Sequence, residues 1–385
     1  MSRNAARPSW FLLGGVTALG PLAMGVHVPG LGDIASALGE TVLQAQLSVP
    51  AFIVAFGLGM FGAGDIVDRV GLRLALGGGL LTFILGALLA GSTTELRLLL
   101  VGRVLMGAGA AFAIVVPRAA VATDVAQTTN GLARLAAIQA AVPALAPLLG
   151  AALVAWLGWR ATFLLPGAAA VALLVATILV LPKEERSRRD GVAKQASSYG
   201  WLGSRGWLLP TAEIALVTAV FLVLLAQTST LLVRPFRLDS AELGIVLAFT
   251  GAAFVVGSVL LVRAKDPAPL QRASRVAFIG AMVLLAVGSS SVLVWAIGLV
   301  VYALANGVLV PAAFGEVAFA VPASKGRALG TTGAMQMLVG AAGGAAANSL
   351  GGLTPFTFGA GGVLVALTVL ALARVKRGDR RCAAA

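Results

Sequence analysis

Gly64-Asp65-Ile66-Val67-Asp68-Arg69-Val70-Gly71-Leu72-Arg73 is a short charged connector between two long apolar stretches, 43–63 and 74–92. Its residues have readable mechanics. Gly64 lets a neighbouring helix approach closely, and Gly71 permits a tight reversal of the chain. Asp68 stands where a carboxylate at a helix end can pair with arginines and with helix N-termini. Each flanking stretch has the length of a membrane crossing, for which a helix needs roughly 20 apolar residues. The connector reads as the turn between two membrane spans.

The rest of the chain repeats that arrangement. Of its 385 residues 59% are hydrophobic and 11% charged, with 48 glycines and a mean hydropathy of +0.98. A soluble domain carries about 25% charged residues, disorder needs low hydrophobicity and collagen needs a glycine period, so all three are excluded. One cysteine, Cys382, allows no internal disulfide and no cysteine-based metal or iron–sulfur site. One histidine, His27, cannot build a His-rich site, so neither metal nor cofactor is expected. Apolar stretches fall at 10–31, 43–63, 74–92, 97–120, 132–155, 161–181, 208–232, 242–262, 274–291, 293–314, 329–350 and 355–373. Backbone groups in lipid must be satisfied internally, and the alternation of barrel strands is missing, so the stretches are helices. The expectation is an all-α polytopic membrane protein with twelve transmembrane helices. The first stretch is of full length and lacks a cleavage site, so no cleavable signal peptide is expected.

Charge sets the orientation. With the N-terminus inside, the outer loops hold only Arg97, Arg160, Arg234 and Arg237, and Arg103 lies within a span. All the remaining Lys and Arg of the 28 fall on the inner side, so both termini are expected in the cytoplasm. The net charge of +13 is then a topological signal and implies no nucleic-acid partner. The long polar segment 182–207, near the midpoint, reads as a cytoplasmic linker that can lie on anionic headgroups.

The halves on either side of it resemble each other. Ile114-Val115-Val116-Pro117-Arg118-Ala119 in the fourth span matches Val308-Leu309-Val310-Pro311-Ala312-Ala313 in the tenth. Ala137-Ile138-Gln139 in the fifth matches Ala334-Met335-Gln336 in the eleventh. Two six-helix bundles, 1–181 and 208–385, are expected. A parallel repeat of this kind places a binding site between the halves, near the membrane midplane, reached alternately by rocking.

The opening connector resembles the signature of the major facilitator superfamily, G-x-x-x-D-R-x-G-R-[RK], with Leu72 where that signature has arginine. The resemblance implies a gate latching the cytoplasmic side of the outward-facing state, made of Gly64, Asp68, Arg69, Gly71 and Arg73, with Arg118 and Asp124 at the inner end of the fourth span. The second half keeps Arg263 in the equivalent loop but has no Asp-Arg pair there. Leu99-(x3)-Arg103-Val104-Leu105-Met106-Gly107-Ala108-Gly109-Ala110-Ala111 is similar to the superfamily's fourth-span motif, with Met106 replacing glutamine. An arginine inside a span costs several kcal/mol or must snorkel, so Arg103 is either a functional group or one satisfied by carbonyls. In proton-coupled members the corresponding arginine is associated with proton transfer or with organising the cavity. Ala146-Pro147-Leu148-Leu149-Gly150-Ala151 in the fifth span resembles the core of the antiporter-associated motif, matching at Pro147 and Gly150.

Val28-Pro29-Gly30-Leu31-Gly32-Asp33-Ile34-Ala35, with Gln46-Leu47-Ser48, Phe52, Gly158-Trp159-Arg160 and Asn306-Gly307-(x3)-Pro311, is similar to the bicyclomycin/chloramphenicol-resistance branch of drug:proton antiporters. Aligned on Pro29, the branch's intramembrane aspartate becomes Gly25 and its tyrosine becomes His27. The usual proton-accepting carboxylate is therefore missing. His27, whose imidazole unperturbed titrates near 6.5, reads either as a proton or substrate site or as a neutral core residue. Asp33 and Glu213 are the other coupling candidates; Asp33 also reads as a helix-end carboxylate at the outer mouth. Gln139, Gln227, Asn306 and Gln336 either line the substrate cavity or hydrogen-bond between helices, and Met24 is a further candidate for the cavity lining.

No Walker A loop, nucleophile elbow, His-Glu-x-x-His or Cys-x-x-Cys is present, and one histidine with scattered carboxylates offers no enzyme site. The reading that results is a proton-coupled transporter exporting a small amphiphilic molecule by alternating access. The alternatives are an uptake symporter or uniporter for a small metabolite on the same fold, and more remotely a membrane-embedded enzyme. Expected partners are the small-molecule substrate, protons and the lipid bilayer. The resemblance implies a monomer in a bacterial inner membrane.

Overall fold

The computed structural model describes residues 9–122, 125–181, 200–227, 231–232, 234–238, 240–288, 290–349 and 353–384. The first half holds α1 (Trp10–Gly25), α2 (Leu31–Leu38), α3 (Val42–Gln46), α4 (Ser48–Val70), α5 (Leu72–Ser92), α6 (Leu96–Val121), α7 (Val125–Leu157) and α8 (Ala161–Val180). The second holds α9 (Arg205–Ala226), α10 (Ser240–Arg263), α11 (Pro267–Val287), α12 (Val292–Ala320), α13 (Lys325–Ser349) and α14 (Pro355–Ala384). Among the described residues there is no strand. The protein is an all-α, multi-pass integral membrane protein.

Among the described residues, ten spans are long and apolar enough to cross a bilayer, and the bent pair Thr128–Pro143 and Leu145–Leu157, taken as one span, makes an eleventh. α13 has the length, at 25 residues, but carries Gly, Ala, Thr, Gln and Asn where the others carry Leu and Val, and is not among the ten. Several helices outrun their apolar stretch at the polar end: α4 continues to Val70, and α11 begins at Pro267, capped by the Asp266 carboxylate accepting from Ala268 N–H. α9 begins at Arg205, inside the segment read as linker; residues 182–199 of that segment lie outside the described residues.

The first span, expected over 10–31, runs over Trp10–Leu38, and its α-helix is interrupted within it. α1 ends at Gly25, a single 3-10 turn follows at Val28–Gly30, and α2 then runs from Leu31. Pro29 explains the break, since it has no N–H to donate and disfavours helical geometry at Val28.

The described residues form two compact units. The first takes residues up to 122, 141–181 and 322–334; the second takes 125–140, 200–321 and 335 onward. α7 and α13 are thus each divided, near Ala140 and Ala334. In the first unit α6 is central, packed on α1, α4 and α5, and α8 lies on α1 and α5. In the second α12 is central, packed on α9, α10 and α11, and α14 lies on α9 and α11. The neighbour lists are the same under the repeat, and Pro117 and Pro311 occupy the two central helices. Small residues make the close crossings possible. A Cβ on Gly86 would meet the Gly102 carbonyl at 2.6 Å, so α5 and α6 touch backbone to backbone.

Candidate functional site

The break in the first span creates a polar cluster in an apolar unit. Helix termination leaves carbonyls of the last turn without intrahelical donors. Arg103, wholly buried in α6, supplies donors instead: Nη1 donates to the Ala23 carbonyl at 2.9 Å and Nε to the Ser48 carbonyl at 3.0 Å. Its charge stands at the C-terminal, negative end of α1, where a cation is favoured. The guanidinium lies over the Phe52 ring at 4.4 Å and the Phe163 ring at 5.9 Å, adding cation–π attraction. Among the described residues no carboxylate pairs with it.

His27 occupies the break itself, fully buried, with Nε2 3.1 Å from the Ser48 hydroxyl; which of the two donates depends on the tautomer. Its ring is 5.6 Å from that of Phe163. Among the described residues Nδ1 has no hydrogen-bond partner. Ser48 joins the pair, side chain to His27 and backbone to Arg103. The second part of α7 packs along the break: Gly25 faces Ala146, Gly30 faces Val154, and a Cβ on Gly150 would run into the Val26 carbonyl. Pro143 and Pro147 lie within α7, and the pair of segments that meets there is bent by 42°. Met24 is half-buried in the last turn of α1. Asp33 is exposed in the first turn of α2, as a carboxylate at a helix N-terminus, apart from the His27 cluster.

The 64–73 connector makes a second arrangement in the same unit. Gly71, at φ 83°, holds the reversal between α4 and α5 in a conformation that other residues avoid. Asp68 caps α13, its two oxygens accepting from the N–H groups of Gly326 at 2.9 Å and Arg327 at 2.8 Å. Asp65 meets the Arg327 guanidinium and also pairs with Arg69 at 2.8 Å. Lys325 Nζ donates to the Ala122 carbonyl at the end of α6. A Cβ on Gly64 would fall 2.5 Å from the Gly326 carbonyl oxygen, so the backbones cross in contact. Arg73 donates to the Leu181 carbonyl at 3.1 Å. Arg118, buried in the last turn of α6, fills the space beside Gly333 together with Met60. Asp124 lies outside the described residues.

In the second unit the polar groups pair with one another. Glu213 and Arg275, both buried, form a two-point ion pair, Oε1 to Nε at 2.7 Å and Oε2 to Nη2 at 3.1 Å. Gln336 donates to the Thr218 hydroxyl at 2.8 Å. Asn306 donates to the Tyr302 hydroxyl at 3.1 Å, which donates to the Val217 carbonyl at 2.8 Å. Gln227 accepts from Leu353 N–H at 3.2 Å. Gln139 is half-buried on α7.

Sequence reasoning singled out His27 and Arg103 but not Phe163, and gave no role to Ser48 or Asp65, which lay in quoted motifs. It counted Arg275, Lys325 and Arg327 only as inner-side charges. A base-Gly-base run before a span, as in Lys325-Gly326-Arg327, was the available signal for a helix start able to meet carboxylates.

The sequence model of the Major Facilitator Superfamily matches residues 13–344. A chloramphenicol resistance protein of Pseudomonas aeruginosa is 31% identical over 186 residues, 47% of this chain and 44% of that protein, so the match spans less than half of that relative. Multidrug resistance protein MdtL of Citrobacter koseri is 24% identical over 275 residues, 70% of each chain. The human organic anion transporter MFSD10 (TETRAN) shares the fold with a TM-score of 0.73 at 17% identity, over 94% of this chain and 98% of that one. FucP in the outward conformation shares it with a TM-score of 0.72 at 16% identity, over 95% and 97%.

Proposed function

The chain belongs to the Major Facilitator Superfamily, and from that premise we propose that this transporter is proton-coupled and exports a small amphiphilic molecule by alternating access. The observation that carries the reading is His27: the chain's one imidazole, buried at the break of the first span and linked to Arg103 through Ser48. A group that titrates near neutral pH in its unperturbed state serves as a proton carrier where the aspartate of similar antiporters is missing. A proton on His27 puts two positive charges into one buried cluster, and their repulsion is relieved by moving the break away from Arg103. α7 lies against the break at Gly150, so the movement reaches α7 directly. The names of the two relatives, for chloramphenicol and multidrug resistance, support export of drug-like molecules.

On this reading the bundles are 1–181 and 208–385, both termini are cytoplasmic in a bacterial inner membrane, and the Asp68 cap on α13 is the gate that releases as the inner side opens. Proteoliposomes with an imposed pH gradient, with chloramphenicol as the first probe, test it. Substrate movement against the proton flow is the expected result; movement with the flow would make the protein an uptake symporter and overturn export. His27→Gln, which keeps a hydrogen bond to Ser48 but cannot take up a proton, is expected to bind substrate and to lose acceleration by the gradient. Full gradient-driven transport by that variant would remove His27 from the mechanism.

A further inference from the structure

The α13 N-terminus is held by two carboxylates one helical turn apart on α4, and they do different work. Asp68 directs both oxygens to backbone N–H groups, of Gly326 and Arg327, and it can do so because position 326 has no side chain: a Cβ there would fall 2.6 Å from Asp68 Oδ1. Asp65 meets a side chain. Its carboxylate lies between the Arg327 guanidinium, which is 2% exposed, and that of Arg69, which is 60% exposed.

The two partners differ in kind. A buried cation left without a counter-charge costs several kcal/mol, so Arg327 is seated only where a carboxylate meets it. The Arg69 pair, an i,i+4 pair on one helix surface, is weak. It has one property the Arg327 pair lacks: both of its members belong to α4, so it survives any displacement of α13. When α13 is seated, Asp65 is shared by two arginines; when α13 leaves, Asp65 keeps one of them, and Arg327 is carried toward water.

We infer that Asp65 is a positioning residue of the gate, the shared counter-charge of a partner exchange in which Arg327 holds it in the seated state and Arg69 retains it in the unseated one. This rests on the reading of the 64–73 connector as a gate. The two arginines compete for one carboxylate, so their removal shifts the seated fraction in opposite directions. Loss of Asp65 or of Arg327 unseats α13. Loss of Arg69 leaves Asp65 wholly to Arg327 and seats α13 more firmly.

The test is a distance measurement between spin labels at Leu74→Cys on α5 and Pro322→Cys just before α13, in full-length protein in lipid nanodiscs. The chain's one native cysteine, Cys382, is replaced by serine. Asp65→Asn is expected to raise the ratio of unseated to seated protein about tenfold, and Arg69→Gln to lower it about threefold. Asp65→Glu, which keeps the charge, is expected to stay near the parent ratio, as a general loss of stability would not allow. If Asp65→Asn does not yield folded protein, the same ratio read in Arg327→Gln decides. Asp68→Asn separates the two levels. An unchanged ratio in Asp65→Asn with a raised one in Asp68→Asn overturns the role of Asp65 and leaves the gate standing; an unchanged ratio in both overturns the gate. A rise in Arg69→Gln overturns the exchange.

Discussion

Replacing Glu213 by glutamine separates a structural ion pair from a proton-coupling carboxylate. Glu213 is 1% and Arg275 8% exposed at the side chain, and both carboxylate oxygens are engaged, at 2.7 and 3.1 Å. Glutamine keeps the shape and one acceptor but removes the charge, so Arg275 is left as a buried cation. Breaking a buried pair from one side costs about 3–5 kcal/mol, and the retained hydrogen bond puts Glu213→Gln at the lower end, about 3 kcal/mol. Removing both charges is milder, because an apolar replacement of a buried pair is close to neutral. Glu213→Gln with Arg275→Met is therefore expected to recover most of the loss, giving a coupling energy of about 2 kcal/mol or more in a double-mutant cycle. The assay is reversible unfolding of purified protein in mixed detergent micelles, with transport in proteoliposomes measured in parallel. The double variant is expected to keep gradient-driven transport. A single variant within about 1 kcal/mol of the parent would refute the reasoning, as would a double variant less stable than the single one. A stable double variant that has lost only the response to the pH gradient would make Glu213 part of the coupling.

Two further outcomes follow from the first-span break. Arg103→Lys keeps a charge but cannot reach the Ala23 and Ser48 carbonyls together, so it is expected to destabilise by about 2–3 kcal/mol in the same unfolding assay. Gly150→Ala drives a methyl into the Val26 carbonyl, a backbone atom that no rotamer change can move; folded yield, read by size-exclusion chromatography, is expected to fall severalfold, whereas Gly62→Ala, with nothing within 4 Å, is expected to be silent.

Most of the fold was legible because lipid imposes it. Each apolar stretch coincides with described helix over most of its length, and Pro117 and Pro311, matched in the sequence, lie in α6 and α12, the helices at the centre of their units. The helix ends were less legible: α4 and α12 continue past their apolar stretches to Val70 and Ala320, because a helix ends where capping and turn geometry end it. At the candidate site the sequence marked the unusual groups and left their partners hidden. Arg103 was visible as a charge out of place, but its acceptors are backbone carbonyls 55 and 80 residues away, and a carbonyl has no letter in a sequence. Arg275 looked like any inner-side base because its role is set by a contact 62 residues distant. Asp65 was passed over because the motif around it draws the eye to Asp68.

The composition of α13 has a bearing on how the protein is made. A helix leaves the translocon for lipid by its own apolar weight, with central polar residues counting against it. α13 enters with Lys325 and Arg327, carries Thr331, Thr332 and Gln336, and relies on alanine and glycine for the rest. Alone it has little reason to leave the aqueous channel. It is committed to the bilayer with the help of α9, made before it, whose Thr218 accepts from Gln336 and whose Leu222 and Val223 face Gly340 and Gly343. The same poverty in leucine and valine suits the gate proposed at its first turn: weakly held by lipid at assembly, the helix is weakly held by lipid afterwards, and its neighbours decide its position.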